Sequence, residues 1–119
     1  MTMKKIEVVI RKSKFDEVKE ALYDVGVEFI TFWDVRGTGK STQGRVYRGI
    51  AYDTSTIERI LITFYCREKY MDPAINAILK SAWTGEIGDG KIFISDITDA
   101  YRIRTGDRGD KAMYLEGEE

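Results

Sequence analysis

The chain has 119 residues and a mass of 13.7 kDa, with 43% apolar and 33% charged residues, which suits one compact core and is too short for two ordinary domains. Nineteen Lys and Arg against twenty Asp and Glu leave a net charge of −1, so no global field draws in a nucleic-acid backbone or an anionic membrane. With no histidine and one cysteine, the chain is excluded from His-based triads, Cys–His pairs, Cys/His zinc sites and intramolecular disulfides, and no metal site is expected.

Residues 4 to 10 (KKIEVVI) are β-branched and run into a basic turn, which predicts a buried strand. Phe15, Val18, Leu22 and Val25 then recur at helical spacing, with Ser13 and Asp16 at capping-box distance and Gly26 as the stop. Residues 27 to 36 return to strand composition. Residues 37 to 57 hold four of the eleven glycines and no sustained period. They predict a loop, longer than the ~12–15 residues beyond which structureless connections are usually functional or disordered.

Residues 59 to 66 predict a third strand, ending at Cys66, which reads as a structural thiol in a reducing compartment. Residues 69 to 83 predict a second helix with Ile75, Ile78, Leu79 and Ala82 on one face, Asp72 as N-cap and Pro73 as its first residue. Residues 91 to 97 and 101 to 104 predict a fourth strand and a short fifth. A domain over 1–108 is then followed by a polar tail, 109–119. No run approaches the ~18 apolar residues of a membrane span, and the chain reads as cytoplasmic. Two β-α-β units in this order predict an α+β, ferredoxin-like fold, a four-stranded antiparallel sheet backed by two helices, whose open face invites self-association.

Three segments hold candidate chemistry. Residues 84 to 93 (TGEIGDGKIF) carry glycines that allow a ligand close to consecutive N–H groups, with Lys91 adding a charge, although a tight Asp-Gly turn explains the same composition. In residues 101 to 106 (YRIRTG), strand alternation would put Arg102 and Arg104 on one face. Residues 37 to 42 (GTGKST) lack the spacing of a Walker A loop. Lys40, Lys91, Arg102 and Arg104 together carry about the charge that a nucleoside triphosphate needs. A slow nucleotide hydrolase would have to rest on Asp89, Glu86 or Glu28, each more simply a turn or surface carboxylate.

Read together, the TGxxGDGKIF run at 84–93, the RIRTG run at 102–106 and the YRGxxY run at 47–52 resemble the signatures of the PII signal-transduction proteins. The resemblance covers residues 4 to about 108. It implies a non-enzymatic homotrimer that senses ATP or ADP in its intersubunit clefts and docks on nitrogen-metabolism targets through a long T-loop, about residues 37–57. By position, Gly88, Asp89, Gly90 and Lys91 would cradle the phosphates, met by Gly37, Gly39 and Lys40 from the T-loop base and by Arg102 and Arg104 from the C-terminal loop. Thr31 and the backbone near Tyr65 would hold the adenine. Tyr47, Arg48 and Tyr52 fall in the target-binding T-loop. Tyr52 matches the position that some relatives modify, and Arg48 the one that plugs an ammonium transporter, which would bring the protein to the membrane as a peripheral partner.

Departures from the family pattern concern magnesium and 2-oxoglutarate. Ser41 stands where the family's metal-ligating glutamine is, with Gln43 and Gly44 displaced from it, while Arg59 replaces a lysine and Thr63 a glutamate. The resemblance therefore retains nucleotide binding and leaves 2-oxoglutarate and Mg2+ open. The alternative is a variant that senses another small anion, for example bicarbonate, and regulates a different transporter or enzyme.

Overall fold

The computed structural model describes residues 3–38, 45–47, 50–52 and 57–114, with the backbone alone for 45–47 and 50–52. The elements are β1 (Met3–Arg11), α1 (Phe15–Asp24), β2 (Thr31–Gly37), β3 (Arg45–Tyr47), β4 (Ile50–Tyr52), β5 (Ile57–Arg67), α2 (Glu68–Ser81) and β6 (Gly90–Asp96). Four strands form one antiparallel sheet in the order β2-β5-β1-β6, the ferredoxin-like arrangement.

Strand alternation divides the residues between the two sides of this sheet. Ile6, Val8 and Ile10 of β1 and Ile60, Ile62 and Phe64 of β5 are buried against the helices. Val18 and Leu22 answer from α1, and Ala74, Ile78 and Ala82 from the α2 end of the layer. Each large side chain buried this way contributes roughly 1.5–3 kcal/mol. The apolar stripe of α2 is thus turned by one position from the predicted face, because Leu79 points outward and Ala74 inward. The opposite side of the sheet has no helix over it, and Trp33 (49% exposed), Tyr65 (49%) and Phe93 (56%) stand there.

Four local expectations are corrected. Residues 27 to 30 are not strand, since the Val27 amide donates to the Leu22 carbonyl at 2.9 Å and closes the end of α1, with Gly26 at φ +96° making the turn. Ser13 does not cap α1; it lies in a 3-10 turn (Lys12–Lys14) that runs directly into the helix, with no side-chain cap. Pro73 is not the first residue of α2, because β5 passes into the helix without a linker and Arg67 is the N-cap. Pro73 therefore lies in the second turn and costs the bond its missing N–H would have made to the Lys69 carbonyl. Residues 101 to 104 form no strand, only the single bridge Tyr101↔Arg108, so the alternation argument for Arg102 and Arg104 fails. Within the long segment, β3 and β4 pair as a two-stranded ladder, Arg45↔Tyr52 to Tyr47↔Ile50.

Candidate functional site

The segment between α2 and β6 is closed by the Asp89 carboxylate. One oxygen accepts from the amides of Thr84 (2.8 Å) and Gly85 (2.9 Å); the other accepts from the Thr84 hydroxyl and from Arg11 Nε (3.0 Å). Arg11 Nη2 also donates to the Ile87 carbonyl at 2.9 Å, so a β1 side chain pins the loop at two points. Gly85, Gly88 and Gly90 adopt φ of +85°, +102° and +107°, which lets the backbone turn within so few residues. The amides of Gly88 and Asp89 take no part in these bonds. The Asp89 side chain is thus committed to holding the loop, and any contribution of this residue to a ligand falls to its backbone.

The Thr84 hydroxyl and amide, and then Arg11 and the Gly85 amide, hold the Asp89 carboxyl well below the usual carboxylate range. Because the folded-state value lies below the unfolded one, this stabilisation is present above about pH 4 and is lost as acid titrates the group through its folded value. Asp89→Asn is expected to lower the urea midpoint at neutral pH, with the difference from the unmodified protein shrinking as pH falls to about 2. A constant difference across that range would contradict the assignment.

This loop forms one wall of an open cleft of about 600 Å³ lined by Gly37, Thr38, Arg59, Gly88, Asp89, Gly90, Lys91 and Phe93, among others. Lys91, opposite Val9 in the sheet register, and Arg59, opposite Arg11, are the two cationic side chains among the described residues that line it, while Arg11 is held on Asp89 and the Ile87 carbonyl. Arg59 is 9% exposed; burial and then the Arg11 charge lower its pKa, opposed by Asp89. Lys91 forms no salt bridge with another described residue.

A second cleft, about 300 Å³, lies at the other end of β5 and is lined by Tyr65, Cys66, Tyr70, Arg102, Met113 and Tyr114, with Val27 behind. Eight strand steps from Arg59 to Arg67 separate the two ends by roughly 26 Å at ~3.3 Å per residue. The loop that presents Arg102 is compact. The Arg102 amide donates to the Asp107 carbonyl at 2.8 Å, the Gly106 amide to the Arg102 carbonyl at 2.7 Å, and Arg108 Nε to Asp99 at 2.7 Å. Burial pushes the Cys66 thiol up, consistent with an inert structural role.

Gly37, Gly88, Asp89, Gly90 and Lys91 are thus gathered in one cleft, and Tyr65 and Arg102 in the other. Thr31, on the open side opposite Thr63, and Arg104, exposed, line neither. Gly39, Lys40, Ser41, Gln43, Gly44 and Arg48 lie outside the described residues, as do the side chains of Tyr47 and Tyr52. Sequence reasoning missed Arg11, which reads as the basic end of a strand; its proximity to Asp89 has no signal in either local pattern. Among the described residues no cluster of three His, Cys, Asp or Glu side chains could hold a metal ion, and no helix is long and apolar enough to cross a membrane.

A family model described as Nitrogen regulatory protein P-II matches residues 3–107. The nitrogen regulatory protein P-II of Bradyrhizobium diazoefficiens is 44% identical over 108 residues, 90% of this chain and 96% of that protein. Among solved structures, a B. subtilis GlnK–ATP complex superposes with a TM-score of 0.75 at 31% identity, covering 93% of this chain and 97% of that one. Arabidopsis thaliana PII bound to citrate gives 0.76 at 32%, covering 93% and 92%.

Proposed function

Because the chain belongs to the nitrogen regulatory protein P-II family, a family of signalling regulators and not of enzymes, we propose that it binds ATP or ADP between the subunits of a homotrimer and relays occupancy through its T-loop. Gly37, Gly39, Lys40, Gly88, Asp89, Gly90 and Lys91 come from one subunit; Thr31, Tyr65, Arg102 and Arg104 come from its neighbour. The carrying observation is the separation of the two clefts. One chain holds the glycine loop with Lys91 at one end of β5 and Tyr65 with Arg102 at the other, and the open apolar side of the sheet lies between them. Packing that side against other copies buries Trp33, Tyr65 and Phe93 and brings the clefts of different subunits together. The GlnK–ATP neighbour supports the ligand class.

Nucleotide occupancy regulates a target only if the T-loop states differ in nucleotide affinity, by about 1–3 kcal/mol for ordinary allosteric coupling. In this reading Tyr47, Arg48 and Tyr52 belong to the docking element, Tyr52 is the modification site, and the target is an ammonium transporter or another transporter or enzyme reached from the cytoplasm. A second reading, a regulator whose second ligand is a different small anion such as bicarbonate, draws on the buried Arg59 guanidinium in the cationic cleft.

Calorimetry with ATP, then with 2-oxoglutarate and magnesium added, tests both. One nucleotide per chain with a trimeric sedimentation coefficient is the expected result. Absence of ATP binding would remove the proposal, and tight 2-oxoglutarate binding to the ATP-loaded protein would remove the second reading.

A further inference from the structure

The second cleft is partly filled by the chain itself. After the bridge at Arg108, a 3-10 turn (Gly109–Met113) carries the backbone back to the end of β5, where Ala112, Met113 and Tyr114 form one wall beside Tyr65 and Arg102. Two cationic contacts fix its end: Arg102 Nη2 donates to the Tyr114 carbonyl at 2.6 Å, and the Arg67 guanidinium lies over the Tyr114 ring, 4.7 Å from its centroid. The second Arg102 nitrogen faces Asp107 at 3.9 Å. Tyr114 lies seven positions past residue 107, the last that the family model matches. The one arginine of this cleft that the nucleotide reading assigns to phosphate is therefore already occupied by a carbonyl and a carboxylate.

We infer that residues 112–114 form a strap over this half of the site and compete with the nucleotide's phosphates for Arg102. The inference rests on the nucleotide reading above and adds a regulation to it. A phosphate is the stronger acceptor for a guanidinium, since it is charged and takes two parallel N–H bonds where a carbonyl takes one. The exchange therefore favours nucleotide, at the cost of the carbonyl bond and the Tyr114–Arg67 contact. By linkage, whatever draws the strap away raises nucleotide affinity by the same factor that nucleotide favours release.

Tyr114→Gly in the full chain removes the ring and loosens the backbone that presents the carbonyl. ATP affinity by calorimetry is expected to rise about three- to tenfold, less than for outright loss of a bond to a charged donor because the carbonyl is loosened and not removed. Hydrogen exchange at the Tyr114 amide, which donates to the Lys111 carbonyl at 3.3 Å, is expected to accelerate when ATP is added to the unmodified protein. In an Arg102→Ala background the same substitution should bring no gain. An unchanged or weaker affinity for Tyr114→Gly, or an equal gain without Arg102, overturns the strap; if Lys91→Ala still weakens ATP, the nucleotide reading survives it. Failure of ATP to bind the unmodified protein and both variants overturns the two together.

Discussion

Gly90→Ala is expected to cost more than about 3 kcal/mol and to leave little cooperatively folded protein, because two penalties fall on one atom. A Cβ at position 90 would stand 1.8 Å from the Val9 carbonyl oxygen and 2.9 Å from its carbon, and the residue holds φ +107°, where an L side chain is strained even in open space. Neither can relax cheaply. Val9 lies in the central strand, registered to Leu61 on one side and Lys91 on the other, so a shift of its carbonyl disturbs two ladders. Gly37→Ala is the matched control: a Cβ there meets nothing within 4 Å, and its φ lies outside the left-handed region. Urea denaturation followed by circular dichroism should show a near-normal midpoint for Gly37→Ala and a lost or strongly lowered one for Gly90→Ala. A Gly90→Ala midpoint equal to that of the unmodified protein would show that the close approach of β6 to β1 is not as described.

This glycine illustrates what was legible in the sequence and what was not. The run at 84–93 marks a turn with special backbone needs, and the order of two β-α-β units along the chain was sufficient for the ferredoxin-like plan. Position 90 read as a residue freeing the loop for a ligand, whereas its tightest constraint is a neighbouring strand. The same limit applies to Asp89, which the family resemblance places at the phosphates but whose carboxylate is spent on Thr84, Gly85 and Arg11. Arg11 is 78 positions from Asp89, and only the sheet register brings them together. Pro73 was misplaced because a good local N-cap signal competes with the direct passage of β5 into α2, and the tertiary connection wins. The arginines of 101–106 have strand-like spacing but belong to a tight loop, because Gly106 at φ +73° and the Arg102–Asp107 backbone bond turn the chain first. What the residues order along the chain is legible from periodicity; which side chains from opposite ends of a fold share a cleft depends on register and copy number, which no local pattern encodes.

Lys91→Ala is expected to weaken ATP binding by at least tenfold and by up to about a hundredfold, with folding left intact. The two halves of this expectation rest on different observations. The side chain is exposed on the open side of β6, opposite Val9, and forms no salt bridge with another described residue, so its truncation opens no cavity and orphans no partner. In the proposed intersubunit cleft the ammonium faces phosphate with little water between, and a charge-assisted hydrogen bond in such a place is worth about 1.5–3 kcal/mol, which is the stated range of affinity. Lys91→Arg keeps the charge and should retain most of the binding. Lys91→Glu, which sets a carboxylate against the phosphates, should bind less than Lys91→Ala. Calorimetric titration with ATP, alongside urea midpoints for the three variants, reads affinity and stability separately. Unaltered affinity in Lys91→Ala would move the phosphates away from the glycine loop. A midpoint that fell together with affinity would mean that Lys91 supports the sheet, and the cleft would lose its strongest candidate for phosphate recognition.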